Sequence, residues 1–73
     1  MTDPRAYVRI ADALRQQITG GRIKAGQPIP SITSLTQEHG VARQTAAKAV
    51  QLLESEGLVY RVPGLGYYVS ERQ

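Results

Sequence analysis

Apolar residues recur along this chain with two different periods, and the change of period divides it. From Tyr7 through Ile10, Ala11 and Leu14 to Ile18 they follow a helical repeat, with Arg5, Arg9, Asp12 and Arg15 on the other face. Asp3 stands as an N-cap and Pro4 suits the first helical position, so a first helix is expected over about 4–19, ended by Gly20 and Gly21. The next stretch, Arg22 to Pro30, mixes apolar residues with Gly and Pro and excludes a helix. It permits at most a short edge strand around Lys24 to Gln27, because Pro28 and Pro30 cannot donate ladder hydrogen bonds. Ser31 then caps a second helix, expected over about 31–39, with Ile32, Leu35 and Thr36 on its buried side and Gly40 following His39. Its capping box is incomplete, since Ser34 stands where Glu or Gln would reach back to the cap.

The stretch from Gly40 to Gly57 organises the rest. Over about 42–56, Ala46, Ala49, Val50 and Leu53 gather on one helical face, and Gln44, Lys48, Gln51 and Ser55 fall opposite, flanked by Arg43, Ala47 and Glu54 on one side and Thr45 on the other. After Gly57 the pattern turns extended: Leu58 to Val62 is β-prone, Pro63 to Gly66 forms a turn, and Tyr67 to Val69 resumes, giving a hairpin over about 58–69. Only Gly40, Val41 and Ala42 separate the second and third helices, which forces a steep crossing: a helix-turn-helix. The expected fold is α+β and mostly helical, a three-helix winged helix-turn-helix with a C-terminal hairpin wing. The polar face of the third helix suits a nucleic-acid groove, and taken alone it equally suits a solvated surface; the neighbouring segments favour the groove.

Composition narrows the function classes. Seventy-three residues make one small domain, close to the size at which a core holds without disulfides or metal. Cysteine is absent, which removes thiolate chemistry and the usual structural zinc sites and fits a reducing compartment. No apolar run reaches membrane-spanning length, and the first ten residues lack the basic start and apolar centre of a signal peptide, so the cytoplasm, at the nucleoid, is the expected location and no membrane partner is expected. A net charge of +3 favours a polyanionic partner. His39 is the only histidine, so neither a triad nor a histidine-based metal site assembles, and its place near a helix C-terminus has an electrostatic explanation. The six acidic residues show no paired spacing for acid–base work. Gly64-Leu65-Gly66 is half a dinucleotide fingerprint in a strand-to-strand context, which fails. Neither an enzyme nor a cofactor is expected.

Several spaced motifs together carry a family resemblance. Tyr7 to Ile18 with Gly21 and Gly26, Ile29-Pro30-Ser31, Leu35, Gly40 to Thr45, Ala49 to Leu53, Glu56 to Val59 and Gly64 to Val69 are similar to the DNA-binding domain of GntR-family bacterial transcription regulators. The resemblance implies sequence-specific binding of double-stranded DNA to regulate transcription, with the third helix in the major groove. It implies that Arg43 and Thr45 contact bases or phosphates and that Gln44 tunes the sequence read. Side-chain chemistry agrees: Arg grips a guanine edge, Gln pairs with adenine, and Thr binds phosphate or packs on a thymine methyl. Lys48, one turn on, is a candidate phosphate contact, as are Ser31, Thr33 and Arg9, and Gly64 and Gly66 let the wing backbone approach the minor groove or the sugar-phosphate rail. Family members also dimerise, usually through a C-terminal effector-binding domain that this chain lacks. The expectation is therefore a homodimer of a larger regulator on an inverted-repeat operator, with any small-molecule effector acting through the missing domain and the isolated domain mostly monomeric. A stand-alone small regulator is the other reading of the chain's extent.

Departures from the family pattern remove charge. Thr33 stands where an arginine is usual, Leu65 where the wing is normally basic, Ala42 where Ser or Thr caps the recognition helix, and Ala47 where Arg is frequent. Phosphate affinity is expected to be weaker and less steep in salt than for a typical relative. The same neutral surface keeps a second reading open, a winged-helix protein-interaction module without specific DNA binding.

Overall fold

The computed structural model describes residues 5–71. Three helices, α1 (Ala6–Thr19), α2 (Ile32–His39) and α3 (Arg43–Ser55), precede an antiparallel hairpin of β1 (Val59–Val62) and β2 (Gly66–Val69). The expected cap Asp3 and first-turn Pro4 lie outside the described residues; Arg5 takes the cap position of α1, without a side-chain capping hydrogen bond. No helix among the described residues is long and apolar enough to cross a membrane.

The helical stripes meet in one core. Ala6, Ile10, Ala11, Leu14 and Ile18 of α1 are buried, as are Ala46, Ala49, Val50 and Leu53 of α3, and Leu35 joins them from α2. Small residues let the helices approach: Ala11, Ala46 and Ala49 are fully buried where a longer side chain would push the helices apart. The hairpin closes the core through Val59 and Val69, which are register partners on its inner face. Nine Leu, Ile and Val side chains are buried, and each contributes about 1.5–3 kcal/mol of transfer free energy.

The segment between α1 and α2 departs from expectation. Residues 24–27 form a turn, Gln27 N–H donating to the Lys24 carbonyl at 3.0 Å, and no strand forms there. The pairing with β2 falls instead at Pro28, which bridges antiparallel to Tyr68. Ile29 N–H donates to the Tyr67 carbonyl and Val69 N–H to the Gln27 carbonyl, at 3.0 and 2.9 Å. In an antiparallel ladder those two bonds flank a pair whose own N–H groups point away, so the proline's missing donor costs nothing at that position. Pro28 therefore permits the pairing that the sequence argument denied it. The bridge also draws Ile29 into the core and sets the direction from which α2 starts.

Candidate nucleic-acid interface

α2 starts on a satisfied cap. Ser31 is extended (φ −67°, ψ 162°), and its hydroxyl accepts from the Ser34 N–H at 3.0 Å while donating to the Ser34 Oγ at 3.1 Å. Ser34 thus returns a bond to the cap side chain, where the glutamate of a full capping box would reach the cap N–H. At the other end Gly40 takes the left-handed conformation (φ 65°, ψ 38°), and its N–H donates to the Thr36 carbonyl at 2.9 Å. That handedness, costly for any residue with a Cβ, turns the chain within three residues into α3.

α3 starts on nearly the same cap backbone, Ala42 at φ −69°, ψ 156°, with no side-chain cap bond. The Ala42 carbonyl accepts from both Thr45 and Ala46, at 3.0 and 3.2 Å. Arg43 and Gln44 are exposed and Thr45 is half-buried. Across the turn, Arg43 Nη1 donates to Thr33 Oγ1 at 2.9 Å, so the structure brings together two residues ten positions apart, one from each helix. Gln44 engages no partner among the described residues.

The other candidates lie around this corner. Lys48 is exposed, and its Nζ sits 4.4 Å from the ring centroid of Tyr7, a cation–π contact joining α3 to the start of α1. Arg9 is exposed on α1. Gly64 and Gly66 lie in the wing at φ 81° and 120°, and a Cβ on either would meet open space, so within the protein it is backbone handedness that demands glycine. Leu65 N–H donates to the Val62 carbonyl at 3.0 Å across a turn with Pro63 second and Gly64 third, the type II arrangement. This turn holds Leu65, 72% exposed, at the wing tip. No hydrogen bond among the described residues joins the wing tip to the Arg43–Thr33 corner.

Three features escaped the sequence argument. Arg15, assigned to a solvated face, forks onto Glu56 at 3.0 and 2.8 Å and also pairs with Asp12. Its guanidinium pKa is raised, first by the hydrogen bond to Glu56 and then by Asp12. With its carboxylate partners ionised, a guanidinium of raised pKa adds stability that is fully present through the physiological range and is lost as pH rises into strong alkali. The pair clamps α1 to the exit of α3, and being partly exposed it is worth at most about 1 kcal/mol. Tyr7 as the seat of Lys48 was hidden by its place in the apolar stripe. Arg61, an exposed wing cation paired in register with Tyr67, could have been found from its strand position. Tyr60 and Tyr68 stack on the hairpin's outer face with centroids 6.3 Å apart.

Comparison with known proteins places this geometry. Residues 6–69 match the family described as bacterial regulatory proteins, gntR family. The chain is 39% identical over 67 residues to the uncharacterised HTH-type transcriptional regulator YjiR of Escherichia coli, covering 92% of this chain and 14% of that protein. It is 35% identical over 65 residues to the transcriptional repressor NagR of Bacillus subtilis, covering 89% and 27%. Among solved structures, the AraR DNA-binding domain in complex with operator ORR3 superposes with a TM-score of 0.86 at 37% identity, over 89% of this chain and 78% of that one. A GntR-family regulator from Listeria monocytogenes gives 0.86 at 28% identity, over 97% and 63%. The chain thus spans about a quarter or less of the length of these two curated relatives.

Proposed function

Since this chain belongs to the GntR family of bacterial regulatory proteins, we propose that it reads double-stranded DNA in a sequence-specific manner to regulate transcription, with α3 as its recognition helix. The observation that carries this reading is the fit of the whole fold to a DNA-binding domain held on its operator. α3 presents Arg43, Gln44 and Thr45 at an exposed, uncapped start, the end of a recognition helix that meets base edges in the major groove. Arg43 keeps a guanidinium edge for guanine O6 and N7 beyond the bond it gives Thr33, and Gln44 can pair with adenine N6 and N7. Lys48, Arg9 and the Ser31–Thr33 turn serve the phosphates, and the glycine-bounded wing tip lies along the adjacent minor groove or backbone.

The domain acts as half of a homodimer on an inverted repeat, in the cytoplasm at the nucleoid, with dimerisation and any effector response supplied by a C-terminal domain outside this chain. With the two cations Lys48 and Arg9 near phosphate, the salt slope per half-site is about −2 in log–log terms. The test is selection of random duplexes by this domain carried on a dimerising coiled coil, at two salt concentrations. An enriched inverted repeat is expected. No enrichment with salt-insensitive binding would favour a protein-interaction module, the reading to which the apolar, exposed Leu65 lends itself.

A further inference from the structure

We propose that Thr33 is a positioning residue for base readout: it holds the Arg43 guanidinium in place before DNA arrives and links that arginine to the phosphate backbone. The inference rests on the reading of α3 as the recognition helix.

Thr33 is the second residue of α2 and Arg43 the first of α3, so the bond between them spans the turn that fixes the helix crossing. Thr33 sits on a firm base. The Ser31 cap closes the turn beneath it, and its own carbonyl accepts from the Thr36 hydroxyl at 2.6 Å. A β-branched side chain on such a turn has few χ1 choices, which makes its oxygen a fixed acceptor. Arg43 is long, exposed and otherwise free to sample many rotamers. Accepting one N–H at Nη1 restricts that sampling and leaves the remaining donors of the guanidinium for a guanine edge. The threonine oxygen acts here as acceptor, and its own O–H has no acceptor among the described residues. That proton points to a phosphate oxygen on bound duplex. One hydroxyl then ties the phosphate that sets register to the side chain that reads the base, in a place where the family's usual arginine could repel Arg43 and could not accept from it.

The test compares Thr33→Val, which keeps the shape and removes the hydroxyl, with Thr33→Ser, which keeps the hydroxyl, each also in an Arg43→Ala background. Both positions are exposed, and equal melting temperatures confirm that the variants fold. On an operator selected by the wild-type domain, Thr33→Val is expected to cut discrimination at the base read by Arg43 by about fivefold. Thr33→Ser should stay within about twofold of wild type, and Thr33→Val should add no further loss of discrimination to Arg43→Ala. In the free protein, ¹⁵Nε relaxation of Arg43 should report a more mobile side chain in Thr33→Val. If Thr33→Val weakens all duplexes alike and leaves base preference intact, Thr33 is a phosphate contact alone and the proposal falls. A wild-type domain that enriches no sequence overturns the DNA reading and this role with it, whereas loss of preference in Arg43→Ala but not in Thr33→Val overturns the positioning role alone.

Discussion

The two helices of the corner start on almost identical backbone, Ser31 at φ −67°, ψ 162° and Ala42 at φ −69°, ψ 156°, and they differ by one oxygen. In α2 that oxygen takes the Ser34 N–H, and the helix start is finished within the protein. In α3 the equivalent N–H, that of Thr45, falls back on the Ala42 carbonyl, which it shares with Ala46. α2 is closed off, and α3, the proposed recognition helix, is left open, with Arg43 and Gln44 exposed at its start. Stability and presentation are thus assigned to separate turns of the chain, and each should be open to perturbation without the other.

The sharpest way to break that division is Arg43→Ala. Removing a bidentate base contact costs about 1–3 kcal/mol, so affinity for the preferred duplex should fall roughly ten- to a hundredfold while affinity for unrelated duplexes changes little. The melting temperature should be nearly unchanged, because Arg43 is exposed and leaves no buried partner behind. Competition binding on the selected operator and on scrambled duplex, with a thermal melt alongside, checks both halves. A stability loss as large as the binding loss would show that presentation and support are not separate.

Gly40 joins the two starts and comes next in size. Its Cβ would meet nothing, so Gly40→Ala tests backbone handedness alone. Holding Ala at φ 65° costs about 1–2 kcal/mol, and for a domain of this size that lowers the melting temperature by roughly 4–8 °C per kcal/mol. Unchanged melting would mean that the turn relaxes to negative φ, and a changed helix crossing should then appear as lost binding.

Ser31→Ala attacks the closed start itself. The expected loss is about 1 kcal/mol of unfolding free energy in urea titration, with the denaturant slope unchanged. Base preference should persist, since the residues proposed to read bases lie on the other helix; a shift in preference would mean that α2 is not merely the support.

How far the sequence made this legible follows the range of each interaction. The order of elements and the buried stripe of α3 were legible because period, caps and glycines are written within a few residues of one another. The Ser31 cap and the Gly40 turn belong to that class. Pairings between distant segments were not legible. Arg15 and Glu56 lie 41 residues apart, and nothing local to Arg15 distinguishes it from Arg9. Lys48 over Tyr7 and Arg43 on Thr33 depend on how helices cross, which the three-residue turn implies only as a steep angle. Pro28 shows the same limit in reverse: a sound local rule, that proline cannot donate, failed to predict a bridge because the register places its nitrogen where no donor is needed. The candidate site was legible as a list of side-chain types, and its internal wiring was not.

The smallest effect sharpens the comparison most. Ala42→Ser restores the missing oxygen on a backbone already in the conformation that Ser31 uses, so no rearrangement is required. The new hydroxyl should take the Thr45 N–H, releasing the Ala42 carbonyl to a single bond with Ala46. Because the Thr45 N–H is already bonded, the gain should sit at the low end of capping energies, about 0.5 kcal/mol, and should be no larger than the loss in Ser31→Ala. Thermal melts read the gain, and duplex selection should return the same preferred sequence, since Arg43, Gln44 and Thr33 are untouched. If stability rises and preference holds, the open start of α3 is a matter of stability alone, and readout belongs to the side chains beyond it. If stability rises while affinity for every duplex falls, the uncapped amides of α3 themselves bind phosphate, and the two helix starts differ in function as well as in finish.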